Sequence, residues 1–163
     1  MTRRLAILVI GGILALAVPG QQLTAQPAVY AKLSGTWVMD STNGPDDHGL
    51  PKSETLEFST AGPALRIAAT EDDGKGPGKS TFDCTAKGAT GDMGAGMTSR
   101  CTVHAYADSV VYAVDILKAG KVVAGERGRL VVSGGGTSLR DQYDATDGAG
   151  PATHHRHHYV KQS

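Results

Sequence analysis

Residues 98–132, TSRCTVHAYADSVVYAVDILKAGKVVAGERGRLVV, decide the fold. Within 109–117, Val110, Tyr112, Val114 and Ile116 fall at every second position and share one face. That period belongs to a strand, not to a helix. Residues 98–105 repeat it, with Cys101 and Val103 on one side and Arg100, Thr102 and His104 on the other. Ala119-Gly120 is a turn leading into 121–132, where Gly125 and Gly128 mark a bulge or a bend. Successive alternating runs joined by short turns form an antiparallel meander.

The pattern continues in both directions. Upstream, residues 35–40 (GTWVMD), 53–59, 64–71 and 79–86 read as strands. They align Leu56 with Phe58, Leu65 with Ile67 and Ala69, and Phe82 with Cys84. Downstream, 137–145 pairs Leu139 with Tyr143, and 154–161 is a last strand. Stretches 41–51, 71–79 and 146–153, rich in Gly, Pro and Asp, read as loops, as does the glycine-rich 88–96 (GATGDMGAG). Helical periodicity is almost absent. The expectation is an all-β, antiparallel up-and-down barrel of eight or nine strands, whose closure removes exposed sheet edges. Trp37, Phe58, Ile67, Phe82, Tyr112, Val114 and Tyr143 are the interior candidates for ligand contact, with Leu56, Leu65, Val103 and Leu139 completing the interior. The pattern leaves open whether they fill the barrel or line a cavity.

The N-terminus reads as an address. Arg3 and Arg4 precede an uncharged apolar run of 14 residues at 5–18, followed by Pro19 and Gly20. As a helix the run spans roughly 21 Å, short of the ~30 Å hydrocarbon core of a bilayer. This is the layout of a secretory signal peptide, with cleavage expected after Ala25 or, alternatively, around residues 18–20. An uncleaved anchor is the competing reading. No later segment is long and apolar enough to span a bilayer. The expected mature domain is 26–163, in the periplasm or outside the cell. The whole chain of 163 residues carries 16 Lys+Arg and 16 Asp+Glu. Without Arg3 and Arg4 the balance becomes 14 to 16, slightly acidic, which excludes a non-specific nucleic-acid binder. In an oxidising compartment Cys84 and Cys101 are expected to form a disulfide. A hairpin of 79–86 with 98–105 would place them opposite each other, and Phe82 opposite Val103, with its tip near Asp92 and Met93.

Leu33-Ser34-Gly35-Thr36-Trp37 resembles the opening Gly-x-Trp motif of the lipocalins. The chain is also similar to a group of small secreted bacterial lipocalin-like proteins of unassigned function. The likeness lies in LSGTW after a signal peptide, a Gly-Pro loop, PKSETL at 51–56, Lys-Val-Val at 121–123 and a closing Tyr-x-Lys-Gln at 159–162. It covers most of 33–162, and only LSGTW and PKSETL are moderately specific. The resemblance implies a calycin-type barrel that holds a small ligand, with Trp37 closing its floor, and implies no catalytic mechanism. The cysteine pair, the histidine-rich last strand and the 88–96 stretch depart from that group. No arginine is assigned to the position that packs on the floor tryptophan in lipocalins.

His154-His155-Arg156-His157-His158 is the other notable cluster. On a strand His155 and His157 share a face with Tyr159, opposite His154, Arg156 and His158. Two imidazoles at this spacing suit zinc, copper or nickel when a carboxylate joins them, and Asp141 and Asp144 are the nearby donors, with His48 and His104 as further ligands if the fold brings them close. The alternatives are a polar, partly exposed edge of the final strand, or a patch that charges on mild acidification. Gly76-Pro77-Gly78-Lys79-Ser80 lacks the first glycine and the helix of a phosphate-binding loop. Asp46-Asp47 and 71–74 (EDDG) lack calcium-loop spacing and read as solvated turns. No nucleophile elbow or metalloprotease motif is present. The leading expectation is a non-catalytic binding protein for a small, largely apolar ligand, without a cofactor. The alternatives are a metal-binding envelope protein using His155 and His157, and a protein-interaction or inhibitor module using the loops 41–51 and 88–96.

Overall fold

The computed structural model describes residues 26–42, 51–148 and 150–163. The signal-peptide reading of 1–25, and most of the 41–51 loop with Asp46, Asp47 and His48, lie outside the described residues. A short helix α1 (Ala28–Leu33) is followed by β1 (Gly35–Thr42), β2 (Ser53–Ala61), β3 (Ala64–Asp72), β4 (Pro77–Cys84) and β5 (Ala89–Gly94). The second half is β6 (Met97–Ala105), β7 (Ser109–Lys118), β8 (Lys121–Ser133), β9 (Ser138–Thr146) and β10 (Thr153–Lys161). All ten strands form one sheet in the order β4-β3-β2-β1-β10-β9-β8-β7-β6-β5, each pair antiparallel. Every consecutive pair except β4 and β5 is hydrogen-bonded, and β1 pairs with β10, so the meander curls into a nearly closed barrel whose seam lies between β4 and β5.

The strand count exceeds the expected eight or nine because 88–96 is not a loop. It holds β5 and a turn at Ala95-Gly96, both at positive φ (51° and 74°), as two-residue hairpins require. Ala119-Gly120 turns β7 into β8 in the same way (49° and 75°). β5 is an edge strand with hardly any buried side chain, so its only strong signal is its backbone pairing with β6, which leaves no trace in sequence.

The disulfide Cys84–Cys101 is present, with Cα atoms 4.6 Å apart, but its setting differs from the expected hairpin. Because β5 intervenes, β4 and β6 run in the same direction and meet at Thr85↔Thr102 as a parallel bridge. Thr85 N–H donates to Cys101 O at 3.4 Å, and Val103 N–H donates to Thr85 O at 3.1 Å. The sulfur bridge therefore spans the barrel's seam, and Phe82 pairs with Ile67, not Val103.

The helix α1 is also new relative to the sequence reading. Val29, Tyr30 and Leu33 are buried, and the segment ties across one end of the barrel. Gln26 donates to Gly62 O (2.6 Å) in the β2–β3 turn, and Lys32 to Ala107 O (3.4 Å) in the β6–β7 turn. Leu33, Trp37, Leu65, Val110, Leu130 and Leu139, each at most 2% exposed, fill this end. The indole N–H of Trp37 donates to Leu33 O at 2.6 Å. Lys161 donates to Lys32 O at 3.0 Å, and its ammonium lies 5.1 Å from the Trp37 ring centroid, the cation over the floor tryptophan that the sequence left unassigned. No helix among the described residues is long and apolar enough to cross a membrane.

Candidate functional site

Above that floor the barrel is hollow. A cavity of about 370 Å³ extends toward the end opposite α1, where Pro51, Glu71, Ala124 and Thr146 stand at strand ends. The volume lies within the ~300–1,000 Å³ of small-molecule sites. Period-two alternation aims side chains into it. Phe58, Ile67, Phe82, Tyr112, Val114 and Tyr143 stand on its wall, while Trp37 lies in the packed floor. Gly128 has a local role here: a Cβ would come within 2.6 Å of the Tyr112 ring, so the glycine lets that ring cross β8 on the inner face. The bulge of β8 sits elsewhere, opposite Ile116 and Leu117.

The wall also carries four carboxyl groups: Glu54 on β2, Glu71 on β3, Glu126 on β8 and Asp141 on β9. Each continues an apolar alternation: Glu54 with Leu56 and Phe58, Glu71 with Ile67 and Ala69, Glu126 with Ala124 and Leu130, Asp141 with Leu139 and Tyr143. Applying the strand period strictly to charged residues would have found them. Glu71 is therefore part of a strand and not of the solvated turn expected at 71–74. Asp141 accepts from the Tyr112 hydroxyl at 2.9 and 3.1 Å. Glu54 Oε2 accepts from the Tyr159 hydroxyl at 2.5 Å and from His157 Nδ1 at 3.0 Å. His157 Nδ1 also lies 3.1 Å from the Tyr159 hydroxyl, so the three side chains form one interior network.

Burial, opposed by the Tyr112 hydrogen bond and reinforced by Glu126 and Glu54, holds the Asp141 carboxyl well above the usual range. Burial and then Glu54 push Glu71 up, with His157 opposing. Glu126 is raised from 4.5 to about 7 by burial and then by the charges of Glu71 and Glu54, with His157 opposing. Glu126 remains accessible to water although the walls surround it, which marks a side chain projecting into a hollow.

A carboxyl whose pKa is raised on folding binds more protons in the native state, so stability falls as pH rises from the unfolded to the folded value. For Glu126 that window runs from about 4.5 to about 7. Urea unfolding of Glu126→Gln is expected to show a flatter midpoint-versus-pH curve through this window, and a higher midpoint than wild type above it. Parallel curves would contradict the placement of Glu126 inside the barrel.

The histidine cluster divides by face as the alternation implies. His154 pairs with Asp144 (2.8 Å) on the outside, and His158 contacts Asp40 (3.2 Å) and Ser138 (2.8 Å). His157 is inside, 1% exposed, and His155 stacks on Tyr143 with ring centroids 4.9 Å apart. β10 lies between β1 and β9, because the first and last strands pair as the barrel closes, and His154 and His158 form the partly exposed outer side of that strand. Asp144 thus joins His154, and Asp141 joins Tyr112. His104 lies on the outer face of β6, beside Arg127 and Arg129. Among the described residues no group of three or more His, Cys, Asp or Glu side chains is placed to hold a metal ion.

Solved structures share this architecture. A fatty-acid transporter (REP1-NXSQ) superposes with TM-score 0.52 at 14% identity, covering 82% of this chain and 98% of its own. An abundant heat-soluble (SAHS) protein of Ramazzottius varieornatus gives 0.55 at 10% identity, over 86% and 98%. A Schistosoma mansoni fatty acid binding protein in complex with arachidonic acid gives 0.54 at 11%, over 83% and 99%. The fold is a lipocalin-like calycin barrel. No family model and no curated protein matches the sequence. Within the calycin barrel, the interior that carries the carboxyl groups is the candidate binding site.

Proposed function

We propose that the protein is an exported, non-catalytic binding protein that holds a small, largely apolar molecule inside its barrel. The observation that carries this reading is the cavity of about 370 Å³, walled on one side by Phe58, Ile67, Phe82 and Val114. Binding would proceed by desolvation of an apolar body, with the polar wall setting orientation. The names of two calycin neighbours, a fatty-acid transporter and a fatty acid binding protein, support a barrel that carries a ligand. Export rests on the N-terminal 25 residues, and cleavage is checked by N-terminal sequencing of the protein from its own host.

Nile red, an uncharged probe whose emission rises in apolar surroundings, tests the cavity. Saturable enhancement at one site per chain is expected. Ala69→Phe, which places a ring on the cavity wall, is expected to weaken it about tenfold or more. Unsaturable enhancement, or equal binding by wild type and variant, would overturn the reading. Native mass spectrometry of the host-derived protein would identify any retained molecule.

A further inference from the structure

The acidic groups on the cavity wall are four carboxyls, Glu54, Glu71, Glu126 and Asp141. Glu71 and Glu126 have no hydrogen-bond donor among the described residues, and they approach from walls formed by β3 and β8 on either side of the barrel. An independent observation points the same way. His157, on the interior face and 1% exposed, has no partner at Nε2. Nε2 is thus a buried polar atom on the interior face without a partner in the protein. Among the described residues the cavity wall contains no Lys or Arg. An anionic head group would therefore meet four carboxyls and no Lys or Arg to pair with. An ammonium is donor-only and positively charged, the complement of a wall of carboxyls.

We propose that the cavity takes an amphiphilic organic cation, with a protonated amine between Glu71 and Glu126 and its apolar body against Phe58, Ile67, Phe82 and Val114. This inference rests on the ligand-binding reading above and names the ligand's charge and class. A cation there relieves the repulsion between the two glutamates and favours their ionised forms. The titratable groups facing Glu126 are Glu54 on β2, Glu71 on β3, Tyr112 on β7, Asp141 and Tyr143 on β9, and His157 on β10, with His155 of β10 lining the same cavity. His157 opposes the upward shift of Glu126. Amine binding near neutral pH therefore releases protons, and affinity rises with pH until the glutamates are ionised.

Decylamine, decanol and decanoate share a chain and differ in head-group charge. Displacement of Nile red at neutral pH is expected to rank them in that order, with decylamine at least about tenfold tighter than decanol. In Glu71→Gln/Glu126→Gln the ratio of amine to alcohol affinity is expected to fall to about one. Calorimetry in two buffers of different ionisation heat is expected to show proton release with decylamine and none with decanol. Decanol binding without a preference for the amine, or decanoate binding tightest, would overturn the cation inference and leave the binding protein standing. Failure of all three to bind would overturn both.

Discussion

Trp37→Ala is expected to lower unfolding stability by about 3–5 kcal/mol, the range for removing a large aromatic side chain from a packed core. Trp37 is 0% exposed and lies where β1, α1 and the end of β10 meet. Three terms act together. The void cannot be refilled by neighbours already held by the sheet. The Leu33 carbonyl loses its indole donor, and Lys161 loses the ring beneath its ammonium. For a domain of this size the expected fall in Tm is roughly 10 °C. Trp37→Phe retains much of the ring and removes the N–H, so it is expected to cost less than half as much. Because Trp37 is the chain's one tryptophan, unfolding of the variants is followed by circular dichroism. A loss below about 1 kcal/mol for the alanine variant would show that α1 and the floor are not a structural unit.

The sequence disclosed what burial imposes on it. Nine strands were legible because one face of each strand meets the interior, and burial on one face leaves a period of two. β5 was not legible, because its side chains gain little from burial and only its backbone is paired. α1 is too short to show a helical period: its six residues are ordered by the floor they cover, a tertiary cause invisible in local pattern. The missed strand had a second consequence. With 88–96 taken as a loop, Cys84 and Cys101 could be joined only as hairpin partners; once β5 is counted, the two strands run parallel and the bond crosses the seam. The candidate site was legible by half. Its apolar wall follows from alternation, whereas Glu54, Glu71 and Glu126 break the expectation that inward positions are apolar. Only the folded barrel shows that polar side chains from distant strands, 103 residues apart for the Glu54–His157 contact, share one interior.

The position of the disulfide makes its removal the other large effect. A link closing a loop of about 15 residues stabilises by about 3 kcal/mol in the chain-entropy model, and the sequence separation here is 17. Cys84→Ala/Cys101→Ala is therefore expected to lose about 3 kcal/mol in urea unfolding. Because the bond spans a seam, a local effect should accompany the global one. Elsewhere each strand has ladder hydrogen bonds to its neighbours, but β4 meets β6 through only the two backbone bonds at Thr85 among the described residues. Without the sulfur bridge, native-state hydrogen exchange is expected to quicken at the Val103 and Thr85 amides more than at Tyr112 or Leu139, which sit in the continuous sheet. The inner face of β4 gives Phe82 and Ser80 to the cavity, so opening at the seam also loosens the ligand's wall. Nile red affinity is then expected to drop in the variant under conditions where it remains folded. Uniform acceleration at all four amides, with unchanged probe affinity, would mean that the bond acts only on the unfolded chain and that the seam holds by itself.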